Sequence, residues 1–256
     1  MADHSADDRI DAYLVCGGRW HDFDHARLQL LTLLAEDERI RVRVGEDYSD
    51  LHSISNADFL VTYTCDVRPT EEQQHALERY VREGGRWFAL HGTNSAIERY
   101  PDGFATPRIL GPVAKVLGSQ FIARPPLQPF TVEVTEPDHP LVSGIEPFET
   151  DDELYLCELH DAEEHVRLMH TRWHGNTGPG FLENEWPDDD PRPVVYLRPY
   201  GEGTVLYNNL GHCRGRWDMQ PMIPLYPQVE RGSWEQPAYH ELLRRGIRWA
   251  TGDLAA

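Results

Sequence analysis

Between residues 12 and 90 the chain alternates apolar runs of strand length with segments whose apolar side chains recur at helical spacing, and this rhythm constrains the fold more than any other feature. Ala12-Tyr13-Leu14-Val15-Cys16 reads as a buried strand stopped by Gly17-Gly18, and an amphipathic helix follows through Leu28, Leu30, Leu31, Leu33 and Leu34. Ile40-Arg41-Val42-Arg43-Val44 alternates like a strand with one polar face, and residues 55–63 form a third strand leading to Cys65 and Asp66. Thr70 offers an N-cap, Glu71, Glu72 and Gln73 a favourable first turn, and the helix runs to Arg82 before Gly84-Gly85 ends it. Arg86–Leu90 is the fourth strand. Strands joined through helices wind into a parallel sheet with right-handed crossovers, so the expected fold is α/β with a doubly wound, mostly parallel, flavodoxin-like sheet.

In such a sheet, ligands bind beyond the carboxyl ends of the strands. His91 follows the fourth strand there, and Gly92 onward reads as a helix start. His21 follows the first strand, and His212 follows Gly203-Thr204-Val205-Leu206-Tyr207-Asn208-Asn209-Leu210. Taken singly, each is accounted for as a cap or a loop residue. Taken together, they put three imidazoles at one rim. Such a set suits zinc or another divalent metal with an open position, or, without metal, a general acid and base, since imidazole titrates near pH ~6.5. Glu153 and Asp66 are candidate fourth ligands or bases, and the catalytic candidates are His91, His21, His212 and Glu153. No compact ligand motif such as H-E-x-x-H is present, so the strand order decides whether the rings meet.

Gly17-Gly18 lets a ligand approach the backbone, but G-x-G-x-x-G is absent and no nucleotide cofactor is expected. Gly18, Trp20, Asp22, Asp66, Asn94 and Trp173 are candidate substrate contacts. Trp20, Trp173, Trp217 and Trp234 lie in expected loops, where they suit stacking on sugar rings or packing beneath the loops. Ser95 and Ser143 lie outside G-x-S-x-G, and Cys65 reads as a small buried residue or as a nucleophile near His91.

After residue 100 the character changes. Prolines and glycines recur to residue 129, with a short helix around residues 110–117, and Phe130-Thr131-Val132-Glu133-Val134 is an alternating strand. Glu149, Asp151, Asp152 and Glu153 form a carboxylate-rich stretch before the apolar run Leu154-Tyr155-Leu156, so Glu153 is placed to point into a cleft. Residues 166–170 make another strand, 172–193 a long polar loop, and 194–197 with 203–210 a hairpin about Pro199-Tyr200-Gly201-Glu202-Gly203. Residues 215–236 form a second long loop, and 237–250 a closing helix.

With 256 residues, 40% hydrophobic and 26% charged, the chain reads as a single domain over residues 1–256 with a flexible stretch at 1–10, able to bury roughly 70–75% of its unfolded surface. A net charge of −19 repels phosphate backbones and anionic lipid, so neither nucleic acid nor membrane is an expected partner. No apolar run approaches the length of a membrane span. Cys16, Cys65, Cys157 and Cys213 lie far apart and read as reduced thiols, and residues 1–8 carry three Asp with no apolar leader, so a cytoplasmic location is expected. The aromatic loops and terminal helix suggest a homo-oligomer.

Gly17-Gly18 with His21-Asp22-Phe23, Thr70-Glu71-Glu72-Gln73, Ala89-Leu90-His91-Gly92, Asp138-His139-Pro140, Asp151-Asp152-Glu153-Leu154-Tyr155, Tyr200-Gly201-Glu202-Gly203 and Leu210-Gly211-His212 together resemble the ThuA-like (trehalose utilisation) family over residues 12–252. The resemblance implies a fold similar to class I glutamine amidotransferases. There the strand-to-helix elbow carries a nucleophilic cysteine. Here that position is His91, and an imidazole cannot form the thioester, so a glutaminase is not expected. The family implies carbohydrate catabolism beside dehydrogenases that make 3-keto sugars. The expected function is therefore an enzyme acting on a sugar, a 3-keto-sugar or a glycoside by isomerisation, elimination or hydrolysis, with metal assistance. The alternative is a non-catalytic carbohydrate-binding or assembly partner of a sugar dehydrogenase, favoured if the histidines are dispersed and the tryptophans line one groove. The insertions at 172–193 and 215–236 are expected to set the substrate.

Overall fold

The computed structural model describes residues 9–178 and 180–255. In chain order its elements are β1 (Ile10–Gly18), α1 (Phe23–Leu34), β2 (Ile40–Gly45), α2 (Leu51–Ser55), β3 (Phe59–Cys65), α3 (Glu71–Arg82), β4 (Arg86–Leu90), β5 (Glu98–Tyr100), β6 (Gly103–Ala105), α4 (Gly111–Leu117), β7 (Ser119–Ala123), β8 (Gln128–Val134), β9 (Phe148–Asp152), β10 (Leu156–Leu159), β11 (Val166–Arg172), β12 (Gly175–Asn176), β13 (Glu185–Trp186), β14 (Pro191–Tyr200), β15 (Gly203–Asn208) and α5 (Pro237–Thr251).

Local chemistry accounts for the helices that frame the site. Asp22 caps α1 by accepting from His25 N at 3.0 Å. Thr70 and Gln73 form a reciprocal capping box at the start of α3, with Glu71 and Glu72 in its first turn and Arg79 and Arg82 in its last. α5 buries Tyr239, Leu242, Leu243, Ile247 and Trp249 along one face and stops at Gly252, whose φ is +90°.

Nine strands form one sheet in the order β2-β1-β3-β4-β15-β14-β11-β8-β9. The run from β2 to β15 is parallel throughout, and every pairing from β15 to β9 is antiparallel. Because β14 and β8 reverse while β11 and β9 turn back, seven of the nine strands point the same way. Side-chain alternation divides the core: Ala12, Leu14 and Cys16 of β1 pack with α1 and α5, whereas Tyr13 and Val15 face α2, α3 and α4.

Several expectations need correction. Of the stretch expected to be flexible, residues 1–8 lie outside the described residues, while Ile10 already opens β1 opposite Ile40. Residues 51–55 form a helix, so β3 starts at Phe59 and not at residue 55. Gly92 does not begin an α-helix: His91–Asn94 makes a single 3-10 turn. There Thr93 Oγ1 donates to Leu90 O at 2.8 Å and Ser95 Oγ to Gly92 O at 2.6 Å, while Ser95 is extended, so local side-chain bonds replace helix propagation. The loop at 172–193 holds the β12–β13 ribbon and the start of β14, and residues 215–236 hold two 3-10 turns.

Candidate metal centre

Three neighbouring parallel strands end at the same edge, and each is followed by a non-glycine residue in the left-handed region: Trp20 after β1 (φ +76°), Asp66 after β3 (φ +55°) and His91 after β4 (φ +43°). Such strain persists only where the surroundings hold it. At His91, Tyr207 Oη donates to the carbonyl and the ring Nδ1–H donates to Asn209 O at 2.9 Å. Gly18 has φ +125°, and a Cβ there would sit 2.0 Å from Cys65 O, so only glycine allows the crossing that carries the chain to His21. After β15, Gly211 has φ +111° and delivers His212 to the same edge.

The result is one buried cluster. His21, His91, His212 and Glu153 each present a ligand atom, all within 4.8 Å of one another. His21 Nε2 lies 2.9 Å from His91 Nε2. Glu153 Oε2 is 3.8 Å from each of those nitrogens and 3.3 Å from His212 Nδ1. The outer nitrogen of every ring is tied down: His21 Nδ1 to Arg19 O at 3.3 Å, His91 Nδ1 to Asn209 O at 2.9 Å, and His212 Nε2 to Glu230 Oε2 at 2.7 Å. These partners assign the tautomers, leaving a lone pair on each inner nitrogen. Two lone pairs at the His21–His91 separation repel unless a cation or a shared proton lies between them. His212 Nδ1 is close enough to Glu153 to pair but lacks hydrogen-bond alignment, and is a buried nitrogen without a partner. Imidazoles fixed by carbonyl or carboxylate partners with convergent free nitrogens are how proteins orient metal ligands, and a set of three histidines and one carboxylate fits zinc or a similar divalent ion.

Electrostatics agree with a site built for positive charge. Burial pushes the His21 pKa well below its ordinary value, and neighbouring His91 and His212 push the same way. Burial alone would also depress His212, but Glu153 and Glu230 on either side outweigh it and lift it to about 9. Burial would raise Glu153, yet Arg124, whose Nε lies 2.8 Å from Oε1, and His212 hold its carboxyl well below the usual carboxylate range.

His21 and Glu153 line a cavity of about 420 Å³ above the cluster. Of the expected substrate contacts, Trp20 lines it and Gly18, Asp22, Asp66, Asn94 and Trp173 do not. Asp22 caps α1 and pairs with Arg231 at 3.2 Å. Asp66 accepts from Ile97 N and Arg68 Nε, both at 3.0 Å. Asn94 is fully buried and donates to Ser119 Oγ at 2.7 Å. Trp234 is buried beneath its loop, donating to Gly211 O at 2.7 Å, and Trp217 is 63% exposed. Cys65 does line the cavity, but burial pushes its thiol up to about 12, so it supplies no thiolate.

Three residues of the site, Arg124, Arg214 and Glu230, carry no local signal in the sequence, and a fourth, Asp152, carries a weak one. Arg124 follows β7 in a Pro-rich stretch, and Arg214 and Glu230, paired at 2.5 Å, sit in and beside the long C-terminal loop. Asp152 was visible only as part of an acidic run. Its buried carboxylate accepts from Glu153 N (2.7 Å), Gly211 N (2.9 Å), His212 N (3.0 Å) and Ser233 N (2.9 Å), tying the segments that carry Glu153 and His212 together.

Fold and site define a class: an α/β protein whose parallel strands deliver a buried cluster of three imidazoles and one carboxylate to their carboxyl edge. The chain belongs to the ThuA (trehalose utilisation) family, whose model matches residues 13–224. No curated protein matches it. Among solved structures it is similar to a ThuA-like protein from Bacteroides uniformis (TM-score 0.65, 16% identity, covering 97% of this chain and 94% of that one). A ThuA-like protein from Parabacteroides merdae is comparable (TM-score 0.63, 16% identity, 97% and 92% covered). A β-galactosidase from Rahnella sp. also aligns (TM-score 0.57, 17% identity), over 96% of this chain but only 32% of the galactosidase. At these identities the likeness is one of fold. Among the described residues no helix is long and apolar enough to cross a membrane.

Proposed function

We propose that this protein is a carbohydrate-catabolism enzyme that removes the proton beside the carbonyl of a 3-keto-sugar glycoside, and thereby isomerises it or expels its glycosidic group. The observation that carries this reading is the orientation of the three imidazoles: each outer nitrogen is fixed by a protein acceptor, and the inner nitrogens converge on one another and on Glu153. His21, His91 and His212 would hold a divalent metal. When bound, such an ion supplies Lewis-acid polarisation of the ketone. The chain's own part is to place and to move the proton. Glu153, anionic and on the cavity wall, accepts it from the carbon next to the ketone, while Arg124 keeps that carboxylate ionised and fixes its other oxygen. A carboxylate suffices as base for such a proton when the enolate oxygen is stabilised. In the elimination branch the electron pair left on the carbon forms a double bond to the anomeric carbon as its bond to the glycosidic oxygen breaks, and that oxygen leaves as an alcohol on protonation.

The family's association with trehalose utilisation supports a carbohydrate role. The sheet, with α1 and α5 on one face and α2 to α4 on the other, reads as the doubly wound arrangement that puts a site at strand ends. The binding-subunit alternative would have been favoured by dispersed histidines and a tryptophan groove. Instead the histidines cluster, and Trp20 is the tryptophan at the cavity. Elemental analysis of untagged protein, with turnover of a 3-keto glycoside before and after chelation, tests the reading. Bound divalent metal and turnover lost on its removal support it; full turnover by metal-free protein overturns the metal's role.

A further inference from the structure

Above the cluster the cavity is divided in kind. At its floor lie the polar groups, and these are already committed to one another: Arg124 to Glu153 at 2.8 Å, Arg214 to Glu230 at 2.5 Å, and Glu230 to His212 at 2.7 Å. One wall is an unbroken chain of aromatic contacts. Trp20 meets Phe104 edge-on (6.3 Å between centroids, 78°), Phe104 meets Phe181 (6.2 Å), Phe181 meets Phe121 edge-on (5.5 Å, 76°), Phe121 meets Tyr155 (4.3 Å), and Tyr155 packs on the His91 ring (4.4 Å). The wall is stitched from separate segments, since Phe104 N donates to Gly180 O and Leu182 N to Phe104 O, both at 2.9 Å. Met219, Met222 and Tyr226 from the loop at 215–236 face the same space.

We infer that the substrate of this site is a glycoside whose aglycone is an aromatic or comparably apolar ring, the sugar lying on the metal-facing floor and the aglycone against the aromatic wall. This rests on the keto-glycoside reading above and narrows it. Edge-to-face aromatic walls with adaptable methionines complement a flat apolar ring. A second hexose would bury its hydroxyls there, and each hydroxyl taken from water needs a partner. Among the described residues, the cavity's buried donors without one are Trp20 Nε1, Thr177 Oγ1 and, beside Glu230, Arg214 Nε, too few for the hydroxyls of a second sugar. The two long segments that supply Phe181 and Met222 to the outer cavity lie mostly outside the nine-stranded sheet, as a specificity device would.

Calorimetric titration of the Glu153→Gln chain, in which the proton acceptor is gone and the ligand persists, distinguishes the possibilities. The probes are the 3-keto derivatives of phenyl glucoside, methyl glucoside and trehalose, and wild-type kcat/KM is measured for all three. The phenyl compound should bind at least about tenfold more tightly than either of the others, since burial of one aromatic ring is worth that much. Phe181→Ser should bring phenyl and methyl glucosides within about threefold of each other while leaving the methyl compound's affinity unchanged, and Met222→Gln, in the loop at 215–236, should do the same. Equal affinities for phenyl and methyl compounds, or tighter binding of the trehalose derivative, overturn the aglycone inference and leave the keto-glycoside reading standing. Absence of binding and of wild-type turnover with all three overturns both.

Discussion

Removing the charge of Glu153 while keeping its shape separates its two conceivable roles. If it is the proton acceptor and the histidines are the ligands, Glu153→Gln should lower turnover of a keto glycoside by about 10²–10⁴-fold and leave the metal content of the purified protein unchanged. Metal lost along with turnover would make it a ligand instead. His91→Ala should instead lose both metal and most turnover, with the fold intact by circular dichroism, because its ring is held by Asn209 and its backbone by Tyr207 without being a framework residue of the sheet. A different histidine sets a pH limit. His165 stacks on Tyr196 at 4.7 Å and 3°, and burial, with Arg198 beside it, pushes its pKa from 6.5 down to about 4. Between those values the unfolded chain binds a proton that the folded chain refuses. Stability is therefore complete above the upper value and falls as the pH drops toward the lower one, by up to about 3 kcal/mol. Urea denaturation at a series of pH values should show a shallower loss across this window in His165→Gln than in the wild type; identical slopes would refute the assignment.

At the scale of elements, those with their own local signal were legible and those that need a distant partner were not. The capping box of α3 is written in Thr70 to Gln73, so Thr70→Ala should cost about 1 kcal/mol, a fall of roughly 2–4 °C in melting temperature for a domain of this size. β3 and β4 announce themselves as apolar runs because they are buried. The ribbons β5–β6, β7–β10 and β12–β13 are too short to carry a pattern, and β7–β10 also pairs segments that only the folded chain brings together. The same holds for Asp152. It reads as one of several carboxylates, yet its four backbone partners lie on three separate segments. Asp152→Ala leaves those N–H groups unpaired and should destabilise the fold by about 3 kcal/mol or more, measured by chemical denaturation, and should also weaken metal binding by loosening His212 and Glu153.

For the whole molecule, a metal held at the cluster would stabilise folding, because ligand atoms from four separate segments form a site only in the folded state. Protein stripped with chelator and then given zinc at about a hundredfold over its dissociation constant should gain about 2.7 kcal/mol, or roughly 5–10 °C in thermal melting. A melt indifferent to metal would refute the site. The sheet's change of character assists the design: its parallel half gathers the carboxyl ends of β1, β3, β4 and β15 at one edge, while the antiparallel half and its following loops add Glu153 from the end of β9 and the walls of the cavity.

By itself the sequence determined the parallel half of the fold and the family, and it singled out His21, His91 and His212. Apolar periodicity, caps and strand-end glycines act over a few residues, so they can be read without knowing what lies across the sheet. Only the tertiary structure decided that the imidazoles meet, that Arg124, Arg214 and Glu230 close around them, that Asp22 and Asp66 serve the framework, and that an aromatic wall stands over the floor. Each of these depends on strand order and on contacts between residues far apart in the chain. Nothing in a local stretch encodes such a contact, because its free energy comes from burial and charge pairing that exist only once the sheet has assembled.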